Sequence, residues 1–166
     1  MVQLTDDGQI QPLIWKHPIA PIPASVWKEK LRKAHESDVF GCIIELKDTG
    51  EFMGCASLKI PEPKNRDGLF SIVLALKFCN SGYGSEAMKF IVDHAFRWYG
   101  LHRVSLDTFG NNTRAIAAYE KLGFVEEGRG REAIWLDNKW VDGVSMGVLR
   151  REWAEKYWKS ESGKDA

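Results

Sequence analysis

Between Cys79 and Phe124 the chain sets a glycine-rich loop that can hold a phosphate ahead of a second helix carrying Asn112 and Tyr119. Asn80-Ser81-Gly82-Tyr83-Gly84-Ser85 follows the apolar run Leu69 to Leu76 and opens into a helix-periodic segment from Ser85, which makes it the turn of a strand-turn-helix unit. Gly82 and Gly84 allow the backbone to turn tightly and to approach a ligand that a Cβ would hinder. The N–H groups of the loop and of the first helical turn, backed by the positive end of the helix dipole, suit phosphate oxygens. A ligand-free turn before a helix can show the same Gly-x-Gly pattern, so the loop alone does not decide.

A second motif lies downstream. Asn111 to Phe124 reads as a short helix, capped at its start by Asn111 or Asn112 and stopped by Gly123, where a left-handed residue is favoured. Ala115, Ile116, Tyr119 and Leu122 share one face, and on periodicity alone Tyr119 is a core aromatic.

The elements that must position these residues follow from patterning. The first 24 residues carry Pro12, Pro18, Pro21 and Pro23, with a short strand expected near Gln9 to Trp15, and Ala24 to Glu36 reads as a helix capped by Ser25. Strands are expected at Phe40 to Leu46 and Met53 to Lys59, separated by the hairpin punctuation Asp48-Thr49-Gly50. A helix from about Ser85 to Tyr99 places Ala87, Phe90, Ile91, His94, Ala95 and Trp98 on one stripe, so that Trp98 and Trp27 read as core anchors and His94 as a core histidine. Strands at 102–108, 125–135 and 141–149, the last two joined by an Asp137-Asn138 turn, precede a short helix at 150–158 and a polar tail at 159–166. The order is α+β: a mostly antiparallel central sheet flanked by helices, with one β-α-β unit. One domain over residues 1–158 is expected from the length.

Composition excludes several classes of function. Lysine plus arginine equals aspartate plus glutamate at 23 each, which offers no overall basic field for nucleic acid. Three cysteines, Cys42, Cys55 and Cys79, form no Cys-x-x-Cys pair, and four histidines show no metal-ligand spacing. With no apolar run of membrane-spanning length and no secretory signal, a reduced, cytoplasmic protein without metal or membrane partner is expected.

The two motifs in this order, with the strand Arg103-Val104-Ser105-Leu106-Asp107 between them, resemble the GNAT superfamily of acetyl-CoA-dependent N-acetyltransferases. Gly82-Tyr83-Gly84-Ser85-Glu86-Ala87, Gly100 to Val104, Asn112 to Phe124, Glu127-Gly128-Arg129, Arg131-Glu132-Ala133 and Met146 to Trp153 are closest to the branch that acetylates N-termini of ribosomal proteins. The resemblance covers residues 39 to 153. It implies that acetyl-CoA is the donor, held by Asn80, Ser81, Gly82, Tyr83, Gly84, Ser85, Asn112, Arg114 and Tyr119. It also implies a split sheet in which backbone near Leu74, Ala75 and Leu76 pairs with the pantetheine arm. Tyr119 is then the general acid toward sulfur.

Glu132 is the first candidate for the base and Glu45 the second, although a solvated strand carboxylate is the default for both. The acceptor implied is a primary amine, first a protein or peptide N-terminus, second a polyamine, amino acid analogue or amino sugar. A non-catalytic acetyl-CoA-binding protein is the alternative of a different class. The enzyme would work as a monomer or homodimer by direct transfer in a ternary complex. Two departures from the family pattern are visible: Cys79 stands where Gln or Arg is common, and the region before the first confident strand is short.

Overall fold

The computed structural model describes residues 39–159; the expected strand at 9–15, the helix at 24–36 with Trp27, and most of the polar tail lie outside them. Among the described residues, six strands form one sheet in the order β1-β2-β3-β4-β6-β5. They are β1 (Phe40–Glu45), β2 (Phe52–Lys59), β3 (Asp67–Leu74), β4 (Arg103–Phe109), β5 (Val125–Leu136) and β6 (Lys139–Leu149). Helix α1 (Tyr83–Arg97) carries the chain from β3 to β4, α2 (Thr113–Leu122) follows β4, and α3 (Arg150–Trp153) runs into a π-helical turn at Ala154–Trp158. Every neighbouring pair is antiparallel except β3 and β4, which need a crossover and receive α1 for it. The mixed α+β architecture expected from the sequence is the one observed.

Local chemistry accounts for the punctuation. Asp137 (φ 47°) and Asn138 (φ 56°) are both left-handed, as a two-residue hairpin between right-twisted strands requires. Gly123 (φ 110°) ends α2 while its N–H bonds back to Glu120 and Tyr119.

The core lies between the sheet and the two long helices. Strand alternation sends Val104 and Leu106 of β4 and Val144, Met146 and Val148 of β6 to the helix side, where they meet Met88, Ile91, Val92, Ala95 and Phe96 of α1. The buried face of α1 is therefore rotated by about one position from the stripe read in the sequence. Trp98 is 78% exposed, and Phe90 is exposed as well. Two adjacent stripes of α1 are apolar, and the sheet packs against the one built on Met88, Val92 and Phe96. His94 lies half-buried among the rings of Phe40, Phe90, Trp98 and Tyr99, at centroid distances of 5.3 to 6.1 Å.

Among the described residues, the tryptophan that anchors the core is Trp153, which is 1% exposed and packs on Phe96. Its indole N–H donates to Asp93 Oδ1 at 3.1 Å, and Trp158 donates to the same oxygen. Burial works against the Asp93 charge, but these bonds and Arg97 outweigh it and hold the carboxyl below the ordinary range.

The feature that makes a site is the junction of β3 with β4. The two strands pair only at Asp67↔Arg103, Gly68↔Val104 and Leu69↔Ser105, after which both continue without pairing to each other. The closed end is pinned on the face away from the helices. Asp67 accepts from Arg103 Nε and from Ser105 Oγ, both at 3.0 Å, and Arg103 also grips both oxygens of Glu127. The hydrogen bonds from Arg103 depress the Glu127 pKa, and those bonds in turn raise the pKa of Arg103.

Candidate active site

The parting of β3 and β4 opens a cleft in two connected parts. The larger, about 440 Å³, extends from the loop before α1 to α2, and the smaller, about 130 Å³, lies between the separated strands. Ile72, Val73, Asn112 and Tyr119 line both.

At one end is the glycine loop. Asn80 (φ 64°) and Gly82 (φ 87°) take left-handed conformations, the first tolerated by asparagine and the second natural to glycine. A Cβ at Gly82 would meet nothing within 4 Å, so glycine is required there by the backbone angle rather than by crowding. Gly84 is the reverse case: its Cβ would lie 3.2 Å from Leu74 Cδ1, and its absence lets α1 start against the end of β3.

Helix α1 has no side-chain cap, and Glu86 N–H donates to Gly82 O at 3.1 Å as the first turn closes. The N–H groups of residues 83–85 therefore stand at an open helix N-terminus facing the cleft that Gly82, Gly84 and Ser85 line. Ser81 and Tyr83 are not among the side chains lining the cleft. Ser81 turns its hydroxyl to Cys79 O at 3.5 Å, and the Tyr83 ring packs edge-on against Phe78.

The middle of the cleft is the edge of β3. The structure corrects the expectation for Ala75, whose N–H donates to Met53 O of β2 at 2.9 Å and whose carbonyl accepts from Phe78 N–H. Since main-chain groups alternate along a strand, those of Ile72 and Leu74 turn the other way, toward the parted side. Leu74 and Leu76 both line the larger cavity. Arg114 and Lys121 of α2 lie on its other wall and bring positive charge near the glycine loop.

At the far end stand Asn112 and Tyr119. Asn112 caps α2, its Oδ1 accepting from Ala115 N–H at 3.3 Å, which leaves its amide N–H groups for the cleft. Tyr119 is half-buried, 6.0 Å from the Phe124 ring, and its hydroxyl has no hydrogen-bond partner among the described residues. Burial pushes its pKa up to about 12, so the hydroxyl keeps its proton across the neutral range.

Glu132 is not brought to this cleft. It sits on the edge strand β5 in a bulge, where the register jumps from Gly130↔Gly143 to Ile134↔Val141, with φ 51° and its N–H held by Asp142 Oδ1 at 2.9 Å. Glu45 is exposed on β1, at the opposite edge of the sheet. The carboxylate that does line the smaller cavity is Asp107 of β4, oriented by Ser145 Oγ–H, which donates to Asp107 Oδ1 at 2.7 Å. In the sequence Asp107 is an ordinary polar position of an alternating strand, and nothing local marks it as facing the parted edge. The three cysteines are free thiols; Cys79 Sγ contacts Ala75 O at 3.6 Å, and burial raises the pKa of Cys42. No group of metal-binding side chains occurs among the described residues.

Known proteins are similar to this chain in sequence and in fold. YdaF of Bacillus subtilis, which carries the provisional name ribosomal N-acetyltransferase, is 28% identical over 117 residues, 70% of this chain and 64% of its own length. The L-amino acid N-acetyltransferase AaaT of Escherichia coli is 25% identical over 128 residues, 75% of this chain and 76% of that protein. The crystal structure of spermidine N-acetyltransferase from Vibrio cholerae in complex with CoA and spermine superposes with a TM-score of 0.79 at 20% identity, covering 91% of this chain and 88% of that one, which establishes a shared fold. Residues 8–124 match the acetyltransferase (GNAT) family, and with the parted strands, the glycine loop and the Asn112–Tyr119 helix in place, the chain belongs to that family.

Proposed function

We propose that this chain transfers an acetyl group from acetyl-CoA to a primary amine by direct transfer in a ternary complex. The observation that carries the reading is the three-pair junction of β3 and β4, which leaves strand edge exposed along a cleft that Asn112 and Tyr119 line. The residues present fit such a donor. The N–H groups at residues 83–85, with Arg114 and Lys121, suit a pyrophosphate. The unpaired edge at Ile72 and Leu74 suits the amides of an extended arm. Bound acetyl-CoA would supply an acetyl thioester for the amine to attack, releasing the thiol.

The chain's own residues do the rest. Tyr119, protonated at every pH near neutrality, gives its proton toward the leaving sulfur. Asn112 orients the arm beside it. Asp107, held by Ser145, takes the proton that the acceptor must lose, directly or through water. Replacing Asp107 by Asn is expected to lower kcat/KM for the amine about a hundredfold while CoA affinity stays unchanged. Undiminished turnover would remove Asp107 from the mechanism.

Among acceptors, a protein or peptide N-terminus is favoured. Its α-amine has a pKa of only about 8 and so demands little of a base. The acidic residues near the cleft and on β5 are largely spoken for by arginine: Arg103 pairs with Asp67 and Glu127, and Arg129 pairs with Glu126 and Asp142. Among the described residues, those four pairings reduce the negative charge left for a polycation. The test is thiol release with a peptide N-terminus, spermidine and a free amino acid as acceptors. The peptide is expected to give the highest kcat/KM, and a preference for spermidine would overturn this choice of acceptor while leaving the transferase reading intact.

A further inference from the structure

Thr108 is a polar residue placed where the fold calls for an apolar one. It is 9% exposed and lies on the helix-facing side of β4 with Val104 and Leu106. Buried hydroxyls in folded proteins are nearly always hydrogen-bonded, because leaving one unsatisfied is destabilising. The Thr108 hydroxyl has no partner among the described residues. It lines the smaller cavity together with Tyr119 and Asn112.

Its position along the cleft indicates what the hydroxyl meets. The larger cavity runs from Asn80, Gly82 and Ser85 to Tyr119, and the smaller one starts at Tyr119 and continues past Thr108. Given the transferase reading above, on which this inference rests, a donor with its phosphates on the loop and its sulfur at Tyr119 must project its acyl group into the smaller cavity. That space, about 130 Å³ and walled in part by Phe70, Ile72, Leu106 and Phe109, suits a short acyl chain. The carbonyl oxygen is the only strong hydrogen-bond acceptor on an acetyl group, and a threonine hydroxyl rotates to donate to it.

We propose that the Thr108 hydroxyl donates a hydrogen bond to the acyl carbonyl oxygen of the bound thioester and fixes the orientation of the acyl group. Thr108 is thus a substrate-contacting residue whose hydroxyl is unsatisfied until the donor binds.

Thr108→Val, nearly equal in shape, tests this by calorimetric titration with CoA and with acetyl-CoA, alongside thermal unfolding. The expected result is unchanged affinity for CoA, affinity for acetyl-CoA weakened by about 3- to 10-fold, and a Tm equal to or above that of the wild type. Thr108→Ser should restore acetyl-CoA affinity. Equal weakening for both ligands would put the hydroxyl on the arm and overturn the proposal, as would no weakening for either. A lowered Tm would assign the hydroxyl a structural bond and overturn it too. Failure of the wild type to bind either ligand would instead count against the transferase reading of the cleft.

Discussion

Tyr119→Phe lowers turnover by about a hundredfold or more while acetyl-CoA binds with nearly wild-type affinity; that is the result the site geometry leads us to expect. General acid catalysis by a positioned side chain is worth roughly 10²- to 10⁴-fold, and phenylalanine removes only the hydroxyl. The ring, its packing near Phe124 and the α2 scaffold are kept. The pH dependence gives a second check. Burial raises the Tyr119 pKa to about 12 in the folded protein, above the ordinary value of about 10. Whatever the protonated phenol contributes is therefore fully present below pH ~10 and is lost only as the pH climbs through about 12. No limb of the pH–rate profile near neutrality belongs to it, and the shape of that profile should be unchanged in Tyr119→Phe. Equal losses of turnover and of donor affinity would make Tyr119 a packing residue.

The second large effect is on stability. Trp153→Ala is expected to cost about 3–5 kcal/mol, the usual range for emptying a buried tryptophan site, and to lower Tm by roughly 6–20 °C in a protein of this size. The side chain is almost wholly buried against Phe96, and its loss also removes one of the two indole N–H groups that Asp93 Oδ1 accepts. Trp98→Ala is the matched control. At 78% exposure it should change stability by no more than about 0.5 kcal/mol. If the two substitutions had similar effects in a denaturation experiment, the C-terminal segment would not be packed as described.

This pair of tryptophans also marks where the sequence could be read and where it could not. The strands, the crossover helix and the Asn112-capped helix were legible because each is bounded by residues with few alternatives, such as Gly82, Asn112, Gly123 and the Asp137-Asn138 turn. Which stripe of α1 faces the sheet was not, because Phe90 and Trp98 make a second apolar stripe that only packing against β4 and β6 eliminates. Trp153 was overlooked as an anchor for a related reason: a short helix has too few turns for its periodicity to mark a buried face.

The site divides in the same way. The phosphate loop, Asn112 and Tyr119 lie close together in the chain, and their motifs are local; all three line one cleft in the structure. The base and the acyl contact depend on which strand edges part, a tertiary property with no local signature. Glu132 is the first candidate for the base from the sequence, yet the β5 bulge sets it two strands from the cleft. Asp107 and Thr108 looked like ordinary strand residues, yet they stand where β4 leaves β3. Ala75 was displaced from the donor's edge by a single alternation, its N–H spent on Met53.

The central claim, that the cleft opened by β3 and β4 binds acetyl-CoA with its phosphates on the glycine loop, is tested most directly by calorimetric titration of the wild type and of Gly82→Asp. Aspartate places a negative charge where the phosphates should sit, at a backbone angle of φ 87° that disfavours a side chain. Saturable binding by the wild type is expected, with a loss of at least about tenfold in a Gly82→Asp protein whose circular dichroism shows it still folded. A folded wild type that releases no heat of binding, or a mutant that binds as tightly as the wild type, would contradict that claim.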